Sequence, residues 1–267
     1  MHAGMAYMER WREIRRDPRL LLDGAGTVIS IAFNYRQENP YPQIATYALG
    51  EDYHKVLRKR LKKVTAALRE EYGGEFRICI DSAPILERYW AGRCGVGYRS
   101  PVSGNIVVPG VGSMVFLAEI ITTNRWAFWC NSADCGEAIH EASPAVSDLT
   151  PCPTKALKPG GRVDSRRCIN YLTIEHKGEW NELQRALMES PGACGKIFGC
   201  DICQLACPSN SSSPRQVLPE FKPLPQLPEL IEAVKNRDIE ALQSLDISRS
   251  PLSRTGIEGL LRNASNP

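Results

Sequence analysis

A chain of 267 residues with 43% hydrophobic and 24% charged content has the composition of a globular protein, with length for one large domain or two smaller ones. A net charge of +3 is too small to argue for nucleic-acid binding on bulk charge, and no apolar run is long enough to span a bilayer. With no basic-then-apolar leader at its start, the chain is expected in the cytoplasm, where metal binding explains its ten cysteines better than disulfides do.

Met5, Met8 and Ile14 recur at near-helical spacing and predict a helix within residues 4–16, ended by Asp17-Pro18. Thr27 to Phe33 is a β-branched apolar run, read as a buried strand. Val56, Leu57, Leu61, Val64 and Leu68 give an amphipathic helix from Asp52 to Tyr72, stopped by Gly73-Gly74. Its other face carries Lys55, Arg58, Lys59, Lys62 and Lys63, either a solvated surface or a set of phosphate contacts. Phe76 to Ile80 reads as a strand ending at Asp81, and Pro84 should open the next helix. A Gly-, Ser- and Pro-containing loop over 92–105 leads to strands at Ile106–Val108 and Met114–Ile121. This alternation predicts an α+β fold with an α/β-layer domain over residues 1–125. A cysteine-rich unit over 126–215 follows, with a helix near 179–189, and a short helical tail over 216–267 closes the chain.

The cysteines are the strongest chemical signal. Cys200-Asp201-Ile202-Cys203-Gln204-Leu205-Ala206-Cys207-Pro208 is a C-x2-C-x3-C-P run, the second half of the bacterial iron–sulfur signature. Cys152-Pro153 reads as the end of a first half, and Cys168 lies between the two. In two-cluster ferredoxins the last cysteine of each run ligates the other run's cluster. That rule gathers Cys152, Cys168, Cys200 and Cys203 into one complete ligand set. A four-thiolate zinc site is the alternative, and the C-P endings and x3 spacing favour a [4Fe–4S] cluster.

Seven stretches then occur in order: GMAYME (Gly4–Glu9), RDPRLLL (Arg16–Leu22), YALGEDYH (Tyr47–His54), DSAPILER (Asp81–Arg88), GSMVFLAEII (Gly112–Ile121), RRCINYLTIE (Arg166–Glu175) and IFGCDICQLACP (Ile197–Pro208). With SPLSRTGIEGLLRN (Ser250–Asn263) in the tail, the series resembles the epoxyqueuosine reductase family. The resemblance covers almost the whole chain. Members carry a few dozen residues before GMAYME, so the chain is expected to be an N-terminally truncated version.

The resemblance implies a cobalamin-binding domain, a bicluster-ferredoxin-like domain, and reduction of epoxyqueuosine to queuosine at the wobble position of tRNA. Cob(I)alamin would be fed one electron at a time by iron–sulfur clusters, which draw on an external electron donor. It also implies that Asp81 is the proton donor, provided burial raises its pKa; the residue alone reads equally as a helix start. Arg88 matches a tRNA-contacting position, or else makes an ordinary helix-surface ion pair. Arg15, Asn170 and Tyr171 match positions around the cobalamin, although Arg15 also reads as a surface residue and Tyr171 as core. Asp52-Tyr53-His54 only approaches the cobalamin motif D-x-H-x-x-G, so His54 is read as a polar helix-start residue and not as a cobalt ligand.

Two stretches depart from the family. The first half-signature opens with Cys135-Gly136, but Ala138 and Glu141 stand where cysteines belong, and Cys152 follows after extra residues. The first cluster would keep only Cys135 and Cys207, so one intact cluster and one missing or crippled one are expected. Residues 98–104 and 138–151 read as local scrambling between matched flanks, as a short frame slip in the coding DNA would produce. Two other functions follow from these features: a catalytically impaired member that binds tRNA or a single cluster, and a reductive-dehalogenase-like cobalamin/iron–sulfur reductase.

Overall fold

In the chain's computed structural model, residues 2–126, 151–211 and 214–264 are described. The N-terminal segment forms two short helices, α1 (Tyr7–Arg10) and α2 (Arg12–Arg16), where the spacing predicts one. Neither buries a residue, so nothing beyond their own hydrogen bonds keeps them continuous through Trp11. Strand β1 (Thr27–Asn34) follows, and then the long helix α3 (Tyr53–Tyr72). Asp52 caps α3 by accepting the His54 N–H at 3.0 Å, and Gly73, in the left-handed region, ends it.

Strand β2 (Phe76–Cys79) leads into helix α4 (Glu87–Arg93), which begins three residues later than Pro84 suggested. Asp81 adopts φ 42, a left-handed conformation through which a right-handed helix does not propagate, and Pro84 falls in the turn instead. Within the expected loop, β3 (Tyr98–Arg99) pairs with β4 (Ile106–Val107). Strand β5 (Val115–Thr122) is central in an antiparallel sheet of order β1-β5-β2.

Period-two alternation splits this sheet into two faces. Ile31, Ile78, Phe116, Ala118 and Ile120 pack under Val56, Leu57 and Leu61 of α3. Val28, Cys79 and Ile121 face the other way, against Leu21, Ile85 and Trp90 beside α4. The architecture is thus mixed helix and sheet, as expected.

The cysteine-bearing segment is irregular. A hairpin of β6 (Leu157–Lys158) and β7 (Arg162–Val163) precedes a single wide helical turn over Tyr171–Glu175. Helix α5 (Glu182–Met188) carries a capping box between Asn181 and Gln184, and α6 (Ile202–Leu205) and α7 (Pro208–Ser211) complete the unit. The tail forms α8 (Leu227–Lys235), α9 (Ile239–Ser244) and α10 (Gly256–Ala264). Far from being an appendage, it shares one core with Ile44, Ala48 and Leu49 from before α3 and with Ile197 and Phe198 from before the cysteine run. No helix among the described residues is long and apolar enough to cross a membrane.

Leu57 has no solvent exposure at the α3–sheet contact. Leu57→Ala is expected to cost about 2–5 kcal/mol in a urea unfolding titration. A wild-type midpoint would contradict this packing.

Candidate active site

A cavity of about 1210 Å3 opens between the N-terminal helices, the loop after β2 with α4, and the segment over residues 174–177. Its apolar wall comes from Tyr7, Met8, Trp11, Leu86 and Tyr89, five large side chains that are all exposed at the surface of the chain. Arg15, Arg88, Arg93, Arg99, Lys177 and Arg254 supply cations, against Asp81, Glu87 and Glu175. The wall therefore suits a large, flat apolar body that carries anionic or polar groups.

Asp81 sits where three elements meet. Its Oδ2 accepts the Tyr53 hydroxyl at 2.8 Å, faces His54 Nε2 at 3.1 Å, and lies 3.5 Å from Arg254 Nη2. Tyr53 is itself oriented by stacking on Phe116, with ring centroids 4.2 Å apart. Protein surrounds the Asp81 carboxyl closely, yet 47% of the side chain opens towards the cavity.

Burial alone would raise the Asp81 pKa, which is the direction a proton donor needs. Hydrogen bonds from His54 and Tyr53, with the charges of His54 and Arg254, outweigh it and hold the carboxyl at about 2. The left-handed turn that aims this side chain is local strain of the kind found at functional sites. For His54, burial opposes the charge, but Asp52 on Nδ1 at 2.8 Å and Asp81 on Nε2 raise its pKa. Asp81 and His54 thus form a coupled pair in which the two aspartates favour the charged imidazole against burial and Arg254, whose Nη2 lies 2.7 Å from Nε2.

The other expected residues divide. Arg15 lines the cavity, and its buried Nε has no partner, an orphaned donor aimed at a ligand's position. Arg88 also lines it, while its Nη1 donates to the Gly104 carbonyl at 3.2 Å. Asn170 and Tyr171 lie outside its lining. Asn170 clamps the Cys200 backbone, accepting its N–H at 2.8 Å and donating to its carbonyl at 3.2 Å. The Tyr171 hydroxyl accepts the Gly4 N–H at 2.9 Å, and its ring is part of the core.

Sequence reading passed over Tyr53, Arg254 and Glu87, and it read His54 as a plain helix-start residue. The Asp-Tyr-His triplet at 52–54 and the arginine in SPLSRTG were the available signals.

Of the expected cluster ligands, Cys203 is pushed up to about 12, first by burial and then by Cys200, Cys168 and Cys152. Main-chain amides already point at the sulfurs: Ala156 N–H donates to Cys152 Sγ at 3.4 Å, and those of Asn170 and Tyr171 reach Cys168. The loop is held tightly against the sheet domain. Asp201, buried, accepts the Thr46 N–H at 2.6 Å, and a Cβ on Gly199 (φ 75) would fall 2.6 Å from that of Ala45. Among the described residues, no three His, Cys, Asp or Glu side chains close on a single ion. Cys207 opens the turn into α7, and Cys135, Ala138, Glu141 and the stretch 138–150 lie outside the described residues.

A family described as epoxyqueuosine reductase QueG, DUF1730, matches residues 15–82, and a 4Fe-4S double cluster binding domain matches residues 149–210. The chain is 34% identical over 277 residues to the epoxyqueuosine reductase of Leadbetterella byssophila, covering 98% of this chain and 83% of that one. With the Escherichia coli epoxyqueuosine reductase it shares 37% over 245 residues, covering 86% of this chain and 61% of that one. A crystal structure of epoxyqueuosine reductase with a tRNA-Tyr epoxyqueuosine-modified stem loop matches with a TM-score of 0.73 at 27% identity, over 92% of this chain and 65% of that one. The Bacillus subtilis enzyme, solved with its catalytic aspartate loop swung out of the active site, matches with a TM-score of 0.73 at 26% identity, over 95% of this chain and 67% of that one. The chain therefore spans about two thirds of these solved structures.

The Asp81 pKa is depressed, so its ion network adds stability above the ordinary carboxylate value of 3.8, and that contribution is lost as pH falls through about 2. His54→Ala removes the largest of the effects that lower it. The Asp81 carboxyl is expected to shift up towards 3.8 in a 13C NMR titration, and an unchanged value would leave Tyr53 and Arg254 as its sole determinants.

Proposed function

The chain belongs to the epoxyqueuosine reductase family, and from that membership we propose that it reduces epoxyqueuosine in tRNA to queuosine, with cobalamin in the large cavity and electrons arriving through an iron–sulfur cluster. The observation that carries this reading is that Asp81, Arg15 and Arg88 line one cavity.

The cavity's residues fit a corrin. Its exposed apolar wall matches a flat macrocycle, and the orphaned Arg15 Nε matches the polar groups on a macrocycle's rim. Bound there, cobalamin would supply a strongly reducing, nucleophilic metal centre. His54 is engaged by Asp52 and Asp81 and is absent from the cavity lining, so it is not among the residues that would hold the group.

The chain's own residues do the rest. Opening an epoxide leaves an oxyanion, which the Asp81–His54 couple would protonate through the Asp81 carboxyl on the cavity wall. Arg254 holds Asp81 in line, and Arg88 faces the RNA from the same wall. Cys152, Cys168, Cys200 and Cys203 would hold a [4Fe–4S] cluster that passes on single electrons from an external donor. In domain terms, residues 1–125 bind the cobalamin, 126–215 form the ferredoxin-like unit, and 216–267 make up the helical tail.

Ala138 and Glu141 favour one modification of this reading, a member with a single cluster and impaired electron supply. After anaerobic reconstitution the chain is expected to carry about four irons; about eight would mean that other groups complete a second cluster. Asp81→Ala is expected to slow conversion of an epoxyqueuosine-bearing stem loop by about a hundredfold or more. A mutant that matches wild type would remove Asp81 from the chemistry. A wild type that binds the RNA without converting it would favour the impaired member.

A further inference from the structure

Converting an epoxide to an alkene removes its oxygen as water. Two electrons and two protons must enter, one proton as the ring opens and one as the remaining C–O bond breaks. The Asp81–His54 couple carries only one of them. Resting on the proposed reduction, we propose that Glu87, backed by Glu119, is the second proton donor of the site.

The placement is specific. Glu87 is the first residue of α4 and lines both the large cavity and a smaller one of about 210 Å3, and Asp81 and Arg88 share both walls. Its Oε1 is buried with no partner, and its carboxyl accepts the main-chain N–H of Asp81. Beneath it, Glu119 projects from the centre of β5 with 0% exposure. Glu119 Oε1 accepts only the Ser30 hydroxyl at 3.2 Å, and Oε2 has no partner. Two carboxyls buried on facing elements, each with an unpaired oxygen, do not ionise together.

The surroundings reinforce this. Asp81 in the β2–α4 turn repels charge on Glu87, while Arg88 on α4 and His54 on α3 favour it. The Cys79 and Cys94 thiols, near Glu119, are themselves pushed up by burial and offer it no positive charge; Arg77 lies at the Cys79 side. Burial and then Asp81 raise Glu87 to about 7, and burial and then Glu87 raise Glu119 to about 8. At neutral pH the pair holds a proton next to a carboxylate that has none.

The step balances. Two one-electron transfers from the iron–sulfur donor supply the electron pair, the C–O bond breaks, and the Glu87 O–H bond is exchanged for an O–H bond on the departing water. Glu87 then recovers a proton from solvent through the cavity. A purely structural role, holding α4 to the sheet, would leave the pH profile of the reaction without an inflection from this group.

The test uses the full chain, wild type and Glu87→Gln. Carboxyl 13C NMR without cofactor or RNA should show a glutamate titrating near pH 7 that is missing in E87Q. After reconstitution, E87Q should bind the epoxyqueuosine stem loop as wild type does. Its single-turnover rate should be about a hundredfold lower, with the inflection near pH 7 gone from the pH profile. An active wild type with an E87Q that matches it in rate and pH profile overturns the proposal and leaves the reduction standing. Absence of the near-neutral glutamate in wild type also overturns it. A wild type that cannot convert the RNA while that glutamate does titrate overturns the reduction itself, and the donor role with it.

Discussion

The site depends on a seam into which the tail is packed. Leu227, Leu230, Ile231 and Val234 of α8 and Leu260 of α10 bury themselves between Ile44 and Leu49 on one side and Ile197 and Phe198 on the other. Each such side chain contributes about 1.5–3 kcal/mol of burial. Buried polar groups then set the register: Asn263 Nδ2 donates to the Thr173 carbonyl at 2.8 Å and to that of Ile197 at 2.7 Å. Apolar packing would tolerate sliding, but leaving either carbonyl unsatisfied would not be tolerated. Through this seam Arg254 reaches Asp81, and the Arg249 carbonyl receives the Asp52 N–H at 2.6 Å where α3 begins. A tail residue thereby adds its charge to the hydrogen bonds from His54 and Tyr53 that lower the Asp81 pKa.

Two carboxyls six residues apart are driven in opposite directions by one turn. Asp81 points towards an imidazole, a phenol and a guanidinium and is held ionised. Glu87, on the walls of both cavities, is pushed up to about 7 by burial and by Asp81. The left-handed conformation at Asp81 makes this possible, because it turns the side chain upward while leaving the amide to face Glu87. Opposed environments acting on neighbouring acids are a recurrent way to keep a base and an acid in one site at one pH.

The cysteine run is held to the same frame by main-chain and side-chain hydrogen bonds. The Ala45 N–H reaches the Phe198 carbonyl at 2.8 Å, Asp201 accepts from Thr46, and Gln204 Nε2 donates to the Tyr35 hydroxyl inside the sheet domain. Gln204 also lines the smaller cavity that Asp81 and Glu87 share. The cysteine run and the cavity residues therefore sit on one scaffold.

Most of the elements were legible in the residues alone, and the cysteine spacing gave the expected ligand set. Helix α3 follows from its 3.6-residue apolar period and its Asp and Gly ends, and β1 and β5 from β-branched runs. The four-thiol grouping follows from spacing, because covalent connectivity restricts where nearby cysteines can go. Asp81, Arg15 and Arg88 were found through whole motifs. What no local pattern carries is which distant side chains meet: His54 with Asp81 across 27 residues, Arg254 with Asp81 across 173, and Glu119 under Glu87. The sequence by itself determined most of the elements and the family; only the tertiary structure decided which way the pKa values of Asp81 and Glu87 are pushed. A pKa is set by burial and by charges brought near in space, and neither has a signature in the order of residues along the chain.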